Sequence, residues 1–187
     1  DDILISLHHA NTLNHVLLFT NKGNYLFVPV HKIEEFKWKD LGKHISNIIP
    51  LMDNEKIVYS MFVSDFDEEK YITSFSKNGM IKRTLLSEFK AQRYSKPIKM
   101  MNLKDGDEIV SVSEIFIATS CGYGLWYDVS EVPVVGIKAA GVKSINLKDD
   151  YVVSGILFNA GSEYITILTD KGTGKRVKLL EFEKTSR

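Results

Sequence analysis

One unit with a glycine at its centre occurs four times in this sequence. A Ser or Thr stands three residues before each repeat glycine, a β-branched aliphatic residue stands seven before it, and an aliphatic residue stands seven after it. The four repeat glycines are Gly23, Gly79, Gly122 and Gly172. Agreement at so many offsets rules out coincidence, so the chain is built from copies of one unit.

A second block follows the glycine in three of the units. Residues 48–60, 100–112 and 144–156 each read as a short apolar strand, a polar turn and a second apolar strand. Residues 1–7 match the end of this block, and the Asp-Asp start without Met suggests a fragment of a longer protein. The chain stops where the block of the fourth unit would come, so we expect the last unit to be incomplete.

The residues around the glycines favour strands over helices. Segments such as HVLLFT, EKYITSFS and SEYITILT are rich in β-branched and aromatic residues. Glycine supplies the positive φ that tight hairpin turns need. A spacing of about forty to sixty residues is typical of propellers with one four-stranded sheet per unit. We therefore predict an all-β, propeller-like fold over residues 1–187, a single domain of about four blades. Trp38 and Trp126 are interpreted as core or strand residues.

Charge and composition exclude several classes of protein. Lys and Arg number 24, and so do Asp and Glu, so the net charge gives no indication of an acidic or basic partner. Cys121 is the only cysteine, which excludes an intrachain disulfide and a Cys-rich metal site. No apolar run is long enough to span a bilayer, and the start lacks the basic lead of a signal peptide. These features indicate a soluble, intracellular protein.

Residues with catalytic or metal-binding chemistry do not form a recognisable group. His8, His9 and His15 lack carboxylate or Cys partners at metal spacing, and Cys121 has no neighbouring His. The GYG and GTG stretches are not followed by a helix pattern, which argues against nucleotide-binding loops. We predict no catalytic residue, metal, cofactor or small-molecule substrate in this domain.

A Lys-Arg pair follows the repeat glycine in the second and fourth units only. The pairs are Lys82-Arg83 and Lys175-Arg176, where the first and third units have Leu-Phe and Leu-Trp. An isolated pair is explained by a solvated edge strand, in which Lys protects against aggregation. However, residues 76–104 contain eight basic residues and one acidic residue. Such segregated charge favours a surface that binds phosphate groups without reading bases.

The repeated unit resembles the blade repeat of the C-terminal domain of bacterial type IIA topoisomerase A subunits, a group that comprises gyrase and topoisomerase IV. The likeness extends over nearly the whole chain. It is carried by SKNGMIKRTLLSEF (76–89), TDKGTGKRVKLLEF (169–182), MNLKDGDEIVSV (101–112) and INLKDDYVVSG (145–155). The resemblance implies a β-pinwheel, with strands exchanged between neighbouring blades and duplex DNA along a basic outer rim.

The resemblance also implies a function without chemistry in this domain. In such subunits the domain binds and bends double-stranded DNA through its phosphate backbone. It presents DNA for strand passage in decatenation and supercoil relaxation, as chromosome segregation requires. The catalytic tyrosine and the use of Mg2+ and ATP lie in other parts of the enzyme. The implied partners are DNA, the rest of the A subunit, and the ATPase B subunit in a heterotetramer, in the cytoplasm at the bacterial chromosome.

One departure from the gyrase pattern concerns a box rich in Gly, Arg and Lys. Gyrase-type domains carry the pattern QRRGGKG in the loop after the first blade, and no corresponding loop here fits it. Its absence, with the neutral net charge, favours the topoisomerase IV type, which bends DNA without chiral wrapping. The best candidates for phosphate contacts are Lys82, Arg83, Lys175 and Arg176. Further candidates in the inter-blade loops are Lys43, Lys90, Arg93, Lys96, Lys99, Lys138 and Lys143.

Three alternatives stay open at this point. A gyrase-type domain would wrap DNA, and a propeller-like module would bind a protein partner through its acidic segment near Asp65 or its ring face. An enzyme of the propeller class would need a polar constellation that the sequence does not show. The location of the basic residues distinguishes them, because a DNA-binding rim requires these residues on one continuous outer surface.

Overall fold

Short strands and 3-10 helices make up the computed structural model, which describes residues 6–112, 117–156 and 162–187. The strands within these ranges are β1 (His15–Thr20), β2 (Asn24–Pro29), β3 (Ile57–Val63), β4 (Tyr71–Ser76), β5 (Met80–Leu85), β6 (Ile98–Lys99), β7 (Ile109–Val112), β8 (Ile117–Thr119), β9 (Gly124–Leu125), β10 (Val142–Lys143), β11 (Val152–Gly155), β12 (Tyr164–Leu168) and β13 (Gly174–Lys178). The 3-10 helices are Val30–Lys32, Ile45–Asn47, Leu86–Phe89, Val129–Glu131 and Leu179–Glu181.

The strands form antiparallel sheets, one for each repeat glycine. The first sheet has the order β3-β1-β2-β6 and the second has the order β7-β4-β5-β10. The described parts of the third and fourth sheets are β11-β8-β9 and β12-β13. The four hairpins β1–β2, β4–β5, β8–β9 and β12–β13 contain the four glycine turns. The all-β prediction, with four-stranded units, is confirmed.

Neighbouring units exchange strands. β6 follows the second hairpin in the chain but pairs with β2 of the first sheet, and β10 follows the third hairpin but pairs with β5 of the second. At the opposite edges of the sheets, β7 contacts both β3 and β11. These three strands therefore lie at the inner side of the arrangement, and the exchanged strands β6 and β10 form its outer edge.

The apolar residues pack between successive sheets. The core between the first and second sheets consists mainly of Phe19, Tyr25, Phe27, Ile72 and Phe89. The core between the second and third sheets consists mainly of Phe75, Ile81, Ile117, Tyr127 and Val132. Because side chains of a strand alternate between its two faces, both faces of the second sheet are covered. Every residue of β4 after Tyr71 is accordingly buried.

Each repeat glycine closes a tight turn in the left-handed backbone region. The Gly23 N–H donates to the Thr20 carbonyl (3.2 Å), and Gly23 has a φ of +72°, which residues with a Cβ rarely adopt. A Cβ on Gly23 would also lie 2.5 Å from the carbonyl oxygen of Met101. The glycine thus lets the segment that arrives from the second unit come close. The Gly23 carbonyl accepts the N–H groups of Met100 (2.8 Å) and Met101 (3.0 Å).

A hydroxyl group next to each of the first three turns connects the hairpin to the second block of its unit. The hydroxyl donates to a carboxylate in the polar turn of that block, which explains why a hydroxyl residue and an acidic residue both recur. In the third unit the hydroxyl belongs to the residue after the repeat Thr. The pairs are Thr20–Glu55 (2.6 Å), Ser76–Asp107 (2.6 Å) and Ser120–Asp150 (2.5 Å).

The interpretation of Trp38 as a core or strand residue is wrong. Its side chain is 96% exposed, in the segment between β2 and β3. The equivalent residue of the second unit, Tyr94, contacts the Phe27 ring of the first sheet, with 5.4 Å between ring centroids. The residues that the structure describes form no sheet before the first one, so they offer Trp38 no such partner. Trp126 is partly buried in the core between the third and fourth sheets.

We expect Asp107→Ala to destabilise the fold. Asp107 is buried and accepts hydrogen bonds from the Ser76 hydroxyl and from the N–H groups of Asn78 and Glu108. The substitution leaves these donors without their acceptor, and an unpaired buried donor costs about 1–3 kcal/mol. The free energy of unfolding, measured by urea denaturation, should fall by about 2–4 kcal/mol. Asp105→Ala, in the same turn but exposed, is the control and should change it by less than about 0.5 kcal/mol. Equal effects of the two variants would contradict the role of Asp107.

Candidate nucleic-acid interface

The two segments that carry the exchanged strands contain only basic charges. Residues 90–104, which include β6, have five Lys or Arg residues and no Asp or Glu. Residues 132–148, which include β10, have three Lys residues and no Asp or Glu. We call these two ranges the outer segments. In a chain with equal numbers of acidic and basic residues, they concentrate positive charge along one edge of the arrangement.

Lys99 and Lys143 occupy equivalent positions on the outer segments. Lys99 ends β6 and Lys143 ends β10, and each pairs with the residue after the repeat glycine of the preceding unit. Both side chains are exposed. The Nζ of Lys99 donates to the Lys22 carbonyl (3.4 Å), and the Nζ of Lys143 donates to Asn146 Oδ1 (2.8 Å). Because these acceptors are neutral, the charge of both ammonium groups stays available to an anion.

The remaining candidates of the outer segments are also exposed. Arg93, Lys96 and Lys138 have no carboxylate within ion-pair distance in the described ranges. Lys90 lies 3.9 Å from the Asp67 carboxylate, in a solvent-screened pair that contributes little energy. The outer segments therefore bring together six of the predicted residues, namely Lys90, Arg93, Lys96, Lys99, Lys138 and Lys143.

Lys43 lies in a different electrostatic environment. It is exposed, and its Nζ lies 2.5 Å from Glu34 Oε1. The same loop, residues 33–49, also contains Glu35 and Asp40. The corresponding segment of the first unit is therefore charge-compensated, which makes Lys43 a weaker candidate for phosphate binding than the lysines of the outer segments.

The structure corrects the prediction for Lys82. Its side chain is completely buried, and its Nζ donates to the carbonyl oxygens of Met100 (2.6 Å), Gly136 (3.2 Å) and Ile137 (2.6 Å). An ammonium group has three donors, and the backbone satisfies all of them. Burial lowers the pKa of Lys82 to about 8, although the charge of Glu88 opposes the shift. Lys82 cannot contact phosphate from this position, and instead it links the second sheet to both outer segments.

The repeat itself contains a signal for this burial. The position three residues after the glycine is Leu26 in the first unit and Leu125 in the third. Leu26 is completely buried and Leu125 is partly buried. A position that is apolar in two copies of the repeat faces a core, and Lys82 crosses the edge of that core with its aliphatic stem.

Arg83 is half-buried and takes part in contacts within the fold. Its Nε donates to the Val132 carbonyl (2.9 Å), and its guanidinium lies 5.4 Å from the centroid of the Tyr71 ring. The second outer segment passes over its backbone, because the Val135 N–H donates to the Arg83 carbonyl (2.9 Å). These contacts fix the Arg83 side chain and leave only part of it exposed.

Lys175 and Arg176 are exposed in β13. The guanidinium of Arg176 lies 4.5 Å from the centroid of the Tyr164 ring, in the same arrangement as the Arg-Tyr contact of the second unit. Neither side chain has an acidic partner in the part of the chain that the structure describes. Within residues 6–112, 117–156 and 162–187, the carbonyl groups that surround Lys82 and Arg83 have no counterpart around this second pair.

The described residues contain neither a candidate metal site nor a candidate membrane-spanning helix. They contain no group of three or more His, Cys, Asp or Glu side chains that could hold a metal ion. Over the same ranges no helix is long and apolar enough to cross a membrane.

The exchange of outer strands between four-stranded sheets places the molecule in the class of propeller-like β folds. Four stretches, residues 14–64, 70–115, 113–159 and 163–187, match the family described as DNA gyrase C-terminal domain, beta-propeller. The chain belongs to this family. Each matched stretch contains one of the four repeat glycines, so the units defined by the glycines correspond to those of the family.

Two similar proteins are A subunits of DNA topoisomerase 4. The chain is 48% identical to the A subunit of DNA topoisomerase 4 from Bacillus subtilis and 42% identical to that from Staphylococcus epidermidis, in both cases over its whole length. It spans 24% of the length of either relative. These matches confirm the resemblance to the C-terminal domain of a type IIA topoisomerase A subunit.

Solved structures favour the topoisomerase IV type. The crystal structure of the C-terminal domain of DNA topoisomerase IV superposes with a TM-score of 0.89 and 49% identity, over 95% of this chain and 57% of that one. A DNA gyrase A C-terminal domain superposes with a TM-score of 0.77 and 22% identity, over 95% of this chain and 59% of that one. The second likeness supports the shared fold alone.

The buried ammonium of Lys82 predicts a pH dependence of stability. Its pKa in the folded state, about 8, lies below the ordinary value of 10.5, so the folded protein releases this proton first as pH rises. Between these two values the unfolded state binds more protons, and stability from this group therefore increases with pH. Below the lower value the contribution is constant. We expect the free energy of unfolding of the wild type, relative to that of Lys82→Met, to rise by up to about 3 kcal/mol between these two pH values. Urea denaturation of both proteins at each pH measures this difference.

The comparison with Lys82→Met removes other titrations. Burial raises the pKa of Tyr25 to about 12, but this group is present in both proteins and cancels in the difference. Lys171→Met, at an exposed position, is the control and should follow the wild-type curve. Parallel curves for the wild type and Lys82→Met would contradict the burial of a charged ammonium group.

Proposed function

We propose that this chain is the DNA-binding and DNA-bending domain of a topoisomerase IV A subunit. The observation that carries the proposal is the pair of outer segments, residues 90–104 and 132–148. They hold eight Lys or Arg residues, five and three, without an Asp or Glu, on the exchanged strands of the outer edge. Duplex DNA is a ligand of matching chemistry, because it presents closely spaced negative phosphate groups.

In this proposal Lys99 and Lys143 contact the phosphate backbone from two neighbouring sheets. Each contact releases counterions from the DNA, so affinity falls as the salt concentration rises. Ammonium groups that bind phosphate position the duplex but carry no information on the base sequence. Binding is therefore expected to be independent of sequence.

Bending follows from the arrangement of the outer segments. The inner strands β3, β7 and β11 contact one another through β7. Sheets that meet at an inner edge would diverge towards the outer edge, and a row of lysines on successive outer strands would then be convex. A duplex that follows this row must bend, and bending a short site by 40–90° costs about 1–6 kcal/mol. Contacts by several lysines spread over both outer segments would offset this energy.

In the whole subunit, we propose that the domain positions DNA and leaves the chemistry to other parts. The chain matches 24% of the length of the topoisomerase 4 A subunits named above. The cleavage tyrosine with its Mg2+, and the ATPase of the B subunit, would then lie outside this chain in a heterotetramer at the bacterial chromosome. The domain would hold a duplex for strand passage during decatenation and supercoil relaxation.

We expect the double substitution Lys99→Ala and Lys143→Ala to weaken DNA binding and its salt dependence. Two lost phosphate contacts should decrease the slope of log K against log salt by about 1.8. Fluorescence anisotropy with a labelled duplex, titrated at several concentrations between about 50 and 200 mM KCl, measures this slope. Two duplexes of different sequence should give the same change.

The matched control is Lys43→Ala, which removes an exposed lysine that is paired with Glu34. Its slope should stay within about 0.3 of the wild-type slope, because the charge of Lys43 is already compensated. Urea denaturation of all variants shows whether the fold is intact. A wild-type slope in the folded double variant would contradict the proposal and favour a protein partner.

A further inference from the structure

Lys175 occupies the position in the fourth unit that Lys82 occupies in the second. Both stand three residues after the repeat glycine, and the next residue in each unit is an Arg that lies over a Tyr ring. Their surroundings differ, because Lys82 is completely buried and Lys175 is exposed. The same group on the same strand thus has three acceptors in one unit and none in the described part of the other.

The acceptors of Lys82 come from two successive outer segments. The Met100 carbonyl belongs to the first outer segment, and the carbonyls of Gly136 and Ile137 belong to the second. Both outer segments are stretches in which the polypeptide leaves one unit and completes the sheet before it. A lysine at this position is therefore satisfied only where two such segments pass over its strand.

One face of the fourth sheet is exposed, although the equivalent face of the first and second sheets is covered by the sheet that follows. Leu168 is 76% exposed, whereas the residues at the same position of the first and second units, Phe19 and Phe75, are 0% and 1% exposed. Those two aromatic rings are covered because the following sheet packs on them. A repeat of this kind cannot bury its apolar face alone, so the exposed Leu168 side chain has the form of a surface that a further unit would cover.

The C-terminal residues already begin the equivalent crossing. The Thr185 N–H donates to the Trp126 carbonyl of the third sheet (2.9 Å), as the Val135 N–H donates to the Arg83 carbonyl of the second sheet (2.9 Å). The position equivalent to Met100 would come after the last residue of the chain. The solved C-terminal domain of DNA topoisomerase IV is longer than this chain, which covers 57% of it.

We propose that Lys175 is an inter-unit contact, whose ammonium group binds backbone carbonyl oxygens of the polypeptide that continues this chain in the full-length subunit. The ligand is a pair of extended outer segments of the same repeat. Three N–H donors match three carbonyl acceptors, and the carbonyls in turn offset the loss of hydration. Arg176 would lie under the same segment, as Arg83 lies under the second outer segment. Lys175 and Arg176, which the sequence predicted as phosphate contacts, would then lie between units and not on the outer edge.

Competitive acetylation of lysines tests this contact. A limiting amount of sulfo-N-hydroxysuccinimide acetate is added to the 187-residue chain and to the full-length subunit, and mass spectrometry follows each lysine. We expect Lys175 to react at least about tenfold more slowly in the subunit than in the chain, because the covering segments must first open. Lys171, exposed in the adjacent turn, is the control for reactivity, and Lys82 is the control for burial in both proteins.

Two results would overturn the proposal. One is equal reactivity of Lys175 in the chain and in the subunit. The other is protection of Lys175 in the subunit that appears only after duplex DNA is added, which would assign Lys175 to phosphate binding. Protection without DNA supports the proposal.

A second measurement uses substitutions in the full-length subunit. Lys175→Met should lower the thermal midpoint relative to Lys171→Met and leave the salt slope of DNA binding at its wild-type value. A reduced slope with an unchanged midpoint would contradict the inter-unit contact. Because the DNA interface is tested at Lys99 and Lys143, either proposal can fail without the other.

Discussion

Backbone hydrogen bonds between different units hold this fold together. The Gly23 carbonyl accepts the N–H groups of Met100 and Met101, and the Gly79 carbonyl accepts the N–H of Ser144. Each of these contacts completes the sheet of one unit with a strand from the next. At Gly23 and Gly79 a Cβ would press against the arriving segment. All four repeat glycines share a positive φ, which residues with a Cβ rarely adopt.

Strand exchange gives residues of one chemical type different roles. Lys82 and Lys99 belong to the same basic stretch of the sequence, yet carbonyl groups surround one ammonium group while the other is exposed at the outer edge. Lys82 points between sheets, where both outer segments pass, and Lys99 ends an edge strand. The distribution of charge along the sequence therefore shows which segments could bind phosphate. The topology of the strands determines which lysines of such a segment are exposed.

The sequence predicted the hairpins and sheets well because their signals are local. A hydroxyl, a glycine and flanking apolar residues act within one turn, and they recur with each unit. The prediction that Lys82 contacts phosphate is wrong because the sequence of one unit does not show which segments pass over this residue. The apolar Leu26 at the equivalent position of the first unit indicated its burial. The contact between Ser76 and Asp107 joins residues 31 positions apart, and periodicity within a hairpin does not show such a pair.

The exchanged strands have a mechanical consequence. Neighbouring sheets share backbone hydrogen bonds and the carbonyl-bound ammonium of Lys82, so one sheet cannot tilt against the next without breaking several of these bonds. The separation between lysines on successive outer strands is therefore set by the backbone and not by mobile side chains. In the proposed complex, a rim of this stiffness would impose its own curvature on a duplex with a persistence length of about 150 base pairs. The strain of binding would then be stored in the DNA.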